Sequence, residues 1–187
     1  MKQHLTPTTL LFPLPTVLVS CAAPGFRPNI TAIAWTGIVG ARPPLVSICL
    51  RPDRYSYGII TASRQFIINI PTENQLAAID LCGVVSGREV DKFAAAGFTP
   101  SPGVKVTTPA IAECPVNLEC VLRETLRLGS HHTFIGEIVH IQADASVLTA
   151  AGTIDFGKLR PVTLNGAEYW GLGERKLADY GFTAKNK

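Results

Sequence analysis

Residues 28–37 bring together the side-chain types that could hold a flat heterocyclic ligand. Small residues let such a ligand approach the backbone amides closely, while a side-chain amide and hydroxyls can hydrogen-bond its edge. The candidate groups in this segment are one amide, two hydroxyls, one indole and a small spacer: Asn29, Thr31, Ala34, Trp35 and Thr36. On the pattern alone, an ordinary barrel strand with internal hydrogen bonds is the favoured interpretation, and a ligand site is the alternative.

Residues 51–57, with the sequence RPDRYSY, have the composition of a phosphate-binding site. The Pro-Asp pair predicts a helix start at which Asp53 caps the first backbone amides. Two arginines, Arg51 and Arg54, and the Ser56 hydroxyl lie beside that start. Helix N-termini bind phosphate through their amides, and arginine binds it through paired charged hydrogen bonds. A solvated helix start explains the same residues equally well.

The sequence lacks the motifs of several large enzyme classes. It contains no nucleophile elbow G-x-S-x-G, no Walker loop, no G-x-G-x-x-G and no H-E-x-x-H. His131 and His132, with Glu137 beyond them, are the candidates for metal ligands. Because neighbouring strand residues point to opposite faces, the two histidines cannot converge on one metal. We therefore expect no metal site and one histidine that faces a ligand.

The composition predicts one domain with little charge on its surface. The 187 residues fit the usual size of one domain, roughly 100–200 residues, and 47% of them are hydrophobic, which excludes overall disorder. Only 17% are charged, against about 25% in ordinary proteins. The apolar surface therefore needs another cover, for which a subunit interface and a bound ligand are the candidates. The net charge of +3 is scattered, so no polybasic patch for nucleic acid or membrane is expected.

Cysteine usage and the N-terminus favour a cytoplasmic protein. The five cysteines include no C-x-x-C pair, which argues against zinc-ribbon and thioredoxin-type sites and for free, mostly buried thiols in a reducing compartment. The apolar start faintly resembles a signal peptide, but Pro13 and Pro15 interrupt it. We expect residues 16–22 to form a buried first strand instead. No uncharged apolar run reaches the ~18 residues of a membrane span.

The clearest structural pattern is a long hairpin in the second half of the chain. Val116–Leu128 alternates apolar and polar residues with a period of two, which predicts a half-buried antiparallel strand. Gly129 and Ser130 then predict a turn into a second strand over residues 133–142. Many short strands with few helices favour a closed antiparallel barrel, which leaves few exposed strand edges.

Other segments predict the elements around this hairpin. Strands are expected over residues 44–51 and Gln65–Ile70, and a loop over residues 37–42. Residues 72–75 form a capping-box pattern ahead of a helix that ends near Gly87. Residues 88–96 predict a second short helix, and residues 99–115, with four prolines, show little pattern.

These segments resemble the flavin reductase-like FMN-binding split-barrel family, most closely its flavoredoxin branch. The resemblance covers about residues 12–182, and its strength lies in the ordered set of matches. The matching segments, in family order, are residues 15–20 (PTVLVS), 29–37 (NITAIAWTG), 43–48 (PPLVSI), 51–57 (RPDRYSY), 66–71 (FIINIP), 87–93 (GREVDKF), 129–138 (GSHHTFIGEI) and 169–174 (YWGLGE).

The resemblance implies a mainly β, α+β fold: an antiparallel Greek-key split barrel with a few short helices, as one domain over residues 1–187. It also implies a homodimer with FMN near the interface. In that family the isoalloxazine and ribityl chain are lined by residues matching Asn29, Thr31, Ala34, Trp35 and Thr36. The phosphate positions match Arg51 and Ser56, and the positions closing the site, from either subunit, match Lys92 and His131. By its pattern alone, Lys92 reads as a surface lysine on a helix.

The resemblance further implies an oxidoreductase that passes electrons through FMN between a donor and an acceptor. Thr31 is the expected hydroxyl beside the reactive flavin edge, and His131 would stabilise negative charge on the reduced ring. Many flavin reductases carry Gly-Asp-His where this chain has Gly-Ser-His at residues 129–131, which leaves NAD(P)H use open and favours tightly held FMN. The alternatives are an NAD(P)H-dependent flavin or ferric reductase and a split-barrel module that binds a cofactor without catalysis.

Overall fold

The computed structural model describes residues 1–173 and 176–178. Glu174, which closes the last matching segment, and residues 179–182 at the end of the resemblance lie outside the described residues. The strands in the described part are β1 (Leu14–Pro15), β2 (Val17–Cys21), β3 (Asn29–Ile33), β4 (Thr36–Ala41), β5 (Pro44–Leu50), β6 (Gln65–Ile70), β7 (Pro100–Ser101), β8 (Ala110–Ile111), β9 (Val116–Leu128), β10 (His131–Ala143), β11 (Val162–Asn165) and β12 (Glu168–Gly171).

The helices of the described part are short. They are α1 (Tyr55–Ser63), α2 (Leu76–Val84), α3 (Lys92–Ala95) and α4 (Phe156–Leu159), with single 3-10 turns at Glu73–Gln75 and Ala145–Val147. The predicted capping box is confirmed: Thr72 and Gln75 cap each other ahead of α2. Among residues 1–173 and 176–178, none of the helices has the length and apolar character needed to span a membrane.

Seven strands form one antiparallel sheet in the order β3-β2-β6-β9-β10-β5-β4. The predicted hairpin is its longest pairing, since β9 and β10 run side by side from the Leu128–His131 pair to the Val116–Ala143 pair. The expectation of a mainly antiparallel fold with few short helices is confirmed. A smaller sheet, β1-β11-β12, brings the N-terminal segment beside the C-terminal hairpin.

The sheet curves around an apolar core because alternate residues of its strands face inward. Phe66 and Phe134, from β6 and β10, are fully buried at the centre of this core. Helix α1 covers it on one side with Ile59 and Ile60, which have no exposed surface. The end of β3, the end of β5 and the start of β10 lie beside the start of α1, where a site can form.

Three local predictions were wrong. The predicted loop over residues 37–42 is strand β4, an edge strand whose glycines hide the period-two pattern while its pairing with β5 supplies the order. Helix α1 is preceded by Arg54, not Asp53, and has no side-chain cap. The second short helix begins only at Lys92, because the Asp91 carboxylate caps the amides of the next turn.

Residues 99–111, called the strap below, cross the outside of the barrel with almost no regular structure. The buried Glu119 carboxylate accepts hydrogen bonds of 2.8, 2.6 and 3.0 Å from the successive backbone amides of Val104, Lys105 and Val106. Buried Asn69 accepts from the Ile111 amide at 3.0 Å. Because Glu119 and Asn69 lie outside the strap, no pattern within residues 99–111 predicts the conformation that they hold in place.

Candidate functional site

A groove lies beside strand β3, between the start of α1, the loop of residues 83–88 and the turn end of the β9–β10 hairpin. It consists of two adjoining cavities of about 220 and 200 Å³ that share Thr31, Arg54 and Gly83. The first is named the basic cavity for its cations, and the second the aromatic cavity for Trp35 and His131. Together they are called the groove.

The basic cavity collects three cationic side chains against one carboxylate. Arg54, Arg88 and Lys92 line it together with Asp53. The Asp53 carboxylate is already engaged by the Arg51 guanidinium, with contacts of 3.2 Å to Nε and 2.6 Å to Nη2. No hydrogen bond or ion pair of the Arg54 guanidinium is found within the part of the chain that the structure describes. The cavity therefore carries surplus positive charge, which favours an anionic ligand.

Lys92 lies at the floor of the basic cavity. Its side chain is 3% exposed, and its Nζ donates one hydrogen bond of 2.7 Å to the Cys82 carbonyl at the end of α2. Burial lowers the pKa of the Lys92 ammonium, and the nearby Arg54 guanidinium lowers it further against the opposing effect of the neighbouring thiols. An ammonium has three donors, so Lys92 keeps capacity to bind an anion from the cavity.

Asn29 and Ser56 form the polar wall of the same cavity. Both side chains are buried, and Asn29 Nδ2 donates a 2.8 Å hydrogen bond to Ser56 Oγ. Ser56 lies in the first turn of α1, where backbone amides lack helical partners. Burial raises the pKa of the adjacent Cys21 thiol to about 12, so this thiol stays neutral and inert.

The loop of residues 83–88 closes the basic cavity through close backbone contact. A Cβ at Gly87 would collide with Asn29 Oδ1 and would lie 2.7 Å from Tyr55 Cδ1. Only glycine therefore lets this loop reach the wall. Arg88 Nη1 donates 2.8 Å to the Asp53 carbonyl, and its guanidinium lies 5.8 Å from the Tyr55 ring centre.

The aromatic cavity is less polar than the basic cavity. It is lined by Thr31 of β3, by Ala34 just after that strand, and by the Trp35 and His131 rings, whose centres lie 4.6 Å apart. His132 turns to the other face, where its Nδ1 lies 2.8 Å from Tyr57 Oη. This confirms that the two histidines do not converge and that one of them lies at a cavity.

Eight of the nine residues proposed from the resemblance line the groove: Asn29, Thr31, Ala34, Trp35, Arg51, Ser56, Lys92 and His131. Thr36 does not, because its Oγ1 donates 2.7 Å to the Ser47 carbonyl and it lines a separate cavity beside residues 8–11. Lys92 is buried in the groove, which corrects the interpretation of a surface lysine.

The residues carried over from the resemblance did not include several that line the groove: Cys49, Gly83, Ser86, Gly87, Arg88 and Arg54, of which the RPDRYSY pattern alone names Arg54, beside Arg51. Arg54 stands inside RPDRYSY, and Gly87 and Arg88 stand inside GREVDKF, so the matching segments contained them. No local pattern separates Arg54 from Arg51, since the difference arises when Asp53 pairs with only one of them.

The groove of this antiparallel fold joins a basic cavity to one lined by aromatic rings, an arrangement suited to a ligand that carries an anionic group and a ring system. The model of the flavin reductase-like domain matches residues 9–163. The chain therefore belongs to the flavin reductase-like domain family, a flavin-binding family, as the resemblance implied.

Solved structures and curated relatives agree with this assignment. The chain is similar to the flavoredoxin of Desulfovibrio vulgaris (Miyazaki F), with 37% identity, a TM-score of 0.93 and coverage of 99% of this chain and 100% of that one. It is also similar to flavoredoxin from Methanosarcina acetivorans, with 28% identity, a TM-score of 0.89 and coverage of 98% and 100%. An uncharacterized protein of Archaeoglobus fulgidus is 30% identical over 131 residues, covering 70% of this chain and 73% of its own length. The split-barrel fold is thereby confirmed.

Proposed function

We propose that the chain is an FMN-dependent oxidoreductase of the flavoredoxin type that passes electrons between a donor and an acceptor. The observation that carries this proposal is the convergence of Arg54, Arg88 and Lys92 on the basic cavity of a groove whose other cavity is lined by Trp35 and His131. FMN joins a phosphate to a flat ring, and it supplies both one-electron and two-electron chemistry. The similarity to two flavoredoxins supports the same cofactor.

The basic cavity would bind the FMN phosphate. Arg54 and Lys92 supply charge, and the first turn of α1 supplies the Ser56 hydroxyl and backbone amides. Asn29 orients Ser56 through its 2.8 Å hydrogen bond. Arg51 contributes less to this subsite, because its guanidinium is held by Asp53 at the mouth of the aromatic cavity.

The aromatic cavity would bind the isoalloxazine. The small Ala34 side chain lets the ring approach β3, and the Thr31 hydroxyl, 9% exposed, would donate at its reactive edge. His131 would stabilise negative charge on the reduced ring, and its tilted contact with the Trp35 ring, 4.6 Å between centres, holds it at the cavity. These residues orient the cofactor and exclude water, while the redox chemistry belongs to FMN.

The residue before His131 bears on the electron donor. Ser130 Oγ lies 3.0 Å from His131 Nδ1, so a neutral hydroxyl stands where many flavin reductases carry aspartate. We propose that the chain exchanges electrons with another redox protein and that direct NAD(P)H oxidation is secondary. An NAD(P)H-dependent flavin reductase remains the competing function within the same family.

A homodimer completes the proposal. Edge strand β4 exposes Ile38 and Val39, which are 71% and 52% accessible. A second copy covering this strand would bury apolar surface and help to explain the scarcity of charge. The five free cysteines, four of them buried, fit a reducing cytoplasm. Light scattering should give a mass about twice 20.0 kDa.

One absorption experiment tests the function. The purified protein is loaded with FMN, desalted, and its visible spectrum recorded before and after anaerobic addition of NADH or NADPH. We expect the flavin absorption to be retained after desalting and to bleach slowly with either nucleotide. In a parallel sample that receives a reduced electron-transfer protein instead, we expect it to bleach rapidly. A colourless protein after FMN loading would refute the proposal, and rapid bleaching by NAD(P)H would promote the reductase alternative.

A further inference from the structure

Arg27 lies outside the groove but joins three of the elements that build its basic cavity. It belongs to the loop between β2 and β3, and its Nη2 donates a 2.8 Å hydrogen bond to the Gly87 carbonyl. Its backbone amide donates 3.1 Å to Tyr55 Oη at the start of α1. No ion pair of Arg27 is found among residues 1–173 and 176–178. Its contacts are therefore to backbone and hydroxyl groups, as expected of a brace.

Gly87 needs such a brace. The contact with Asn29 and Tyr55 excludes any side chain at this position, and glycine has more backbone freedom than any other residue. The loop's own hydrogen bonds, from the amides of residues 88–90 to Ser86, leave the Gly87 carbonyl to a contact from outside the loop. Arg27 supplies that contact at the carbonyl immediately before Arg88, whose side chain lines the basic cavity.

We propose that Arg27 is a positioning residue for the phosphate subsite, because it holds Gly87 and thereby the adjacent Arg88, which lines the basic cavity. The inference rests on the proposed function, since it names the phosphate of FMN as the group bound there. Arg27 does not line the groove, so it acts through Gly87 and not on the ligand.

The test compares two flavins that differ only in the phosphate. FMN and riboflavin are titrated by flavin fluorescence quenching against the parent protein, R27Q, R27K and R64Q. Arg64 is the matched control, because its Nη2 also donates to a backbone carbonyl, that of Leu122 at 3.1 Å, and it lies away from the groove. Amide hydrogen exchange of residues 86–88 is measured on the same proteins.

We expect R27Q to weaken FMN binding about tenfold and riboflavin binding less than about twofold, with faster exchange at residues 86–88. R27K keeps a donor and should recover most of the FMN affinity, and R64Q should change neither flavin. Equal loss of both flavins, or unchanged FMN affinity in R27Q, would overturn the inference and leave the proposed function intact. A parent protein that bound neither flavin would overturn both.

Discussion

The strap and the groove each depend on a buried charged side chain, but within the described residues only the carboxylate that binds the strap has several hydrogen-bond partners. Glu119 accepts four hydrogen bonds, three from strap amides and one from Gln142 Nε2. Asn69 uses its amide nitrogen on the Leu18 carbonyl and its oxygen on the strap. In the groove, by contrast, the buried Lys92 ammonium has a single hydrogen bond to a carbonyl.

This difference distinguishes a buried polar group that stabilises the fold from one that is available to bind a ligand. A buried charge without enough partners is costly, so a fold retains it only where something else supplies the missing interactions. Glu119 is charged and satisfied, and it holds the strap. Lys92 is charged and under-satisfied, and it lies in a cavity that collects two further cations. The contrast makes opposite predictions for removing each charge.

The largest effect is expected in the strap. E119Q puts an amide donor against three backbone donors, and we expect it to lower the free energy of unfolding by about 3 kcal/mol. Urea denaturation measures this change. The matched control is E113Q, since exposed Glu113 accepts from the Thr99 amide of the strap and its substitution should cost less than about 1 kcal/mol. A smaller loss in E119Q than in E113Q would contradict the account of the strap.

Removing the buried charge of Lys92 should weaken FMN binding strongly and change stability little. K92M loses a charged hydrogen-bond donor to the phosphate, and we expect FMN affinity to fall about thirtyfold. The unfolding free energy without flavin should change by less than about 1 kcal/mol, because an apolar side chain replaces a poorly paired charge.

Fluorescence titration and urea denaturation on the same K92M sample separate these two outcomes. K105M is the control, since Lys105 is an exposed lysine of the strap and should alter neither quantity. If K92M unfolded easily but bound FMN as tightly as the parent, Lys92 would stabilise the fold as Glu119 does, and the proposed difference between the two residues would be wrong.

The fold was predictable wherever a local pattern decides structure. The bounds of β9 and β6 match their predicted strands, because Val116–Leu128 alternates cleanly and Gln65–Ile70 is a short apolar run that stops at Pro71. Strand β4 was missed, since glycines and an edge position leave little alternation. The strap was missed because Glu119, which orders it, is itself one polar residue of an ordinary alternating strand.

The site was predictable only in part, and through a resemblance more than through patterns. Asn29 and Ser56 were expected near the ligand, and the structure adds that they are hydrogen-bonded to each other. Which arginine is available for a ligand was not predictable, because the pairing of Asp53 with Arg51 is decided by geometry. Sequence spacing places both arginines beside the helix without distinguishing them.

A pair of arginine variants sharpens the contrast within the groove. R54Q removes a guanidinium that borders both cavities and has no partner among the described residues, and we expect FMN affinity to fall about tenfold. R51Q removes a half-exposed guanidinium that is already paired with Asp53, and we expect FMN affinity to fall less than about threefold. Both are measured by fluorescence titration at low and high salt. A larger effect for R51Q would restore the role that the resemblance assigns to Arg51.

The smallest expected effect is a dependence on pH. The effect of Glu119 on stability should appear at acidic pH, and the effect of Lys92 on FMN affinity at alkaline pH. Four hydrogen bonds outweigh the effect of burial and hold the pKa of Glu119 below its ordinary value. Its contribution to stability is therefore complete above the unfolded pKa of about 4.3 and is lost as the pH falls through the folded pKa. The pKa of Lys92 is lowered by burial, and phosphate binding favours its charged form. FMN affinity should thus fall as the pH rises through that lowered pKa.

The neighbouring thiols do not confuse this readout, because burial raises the pKa of Cys82 to about 11 and that of Cys21 to about 12. Flavin titrations from about pH 7 to about pH 9 start above the second phosphate pKa of about 6, so the phosphate keeps its charge throughout. The parent protein should lose affinity by severalfold across this range, whereas K92M should bind weakly and without that dependence. The same alkaline decline in K92M would assign the titration to another group and separate Lys92 from the phosphate.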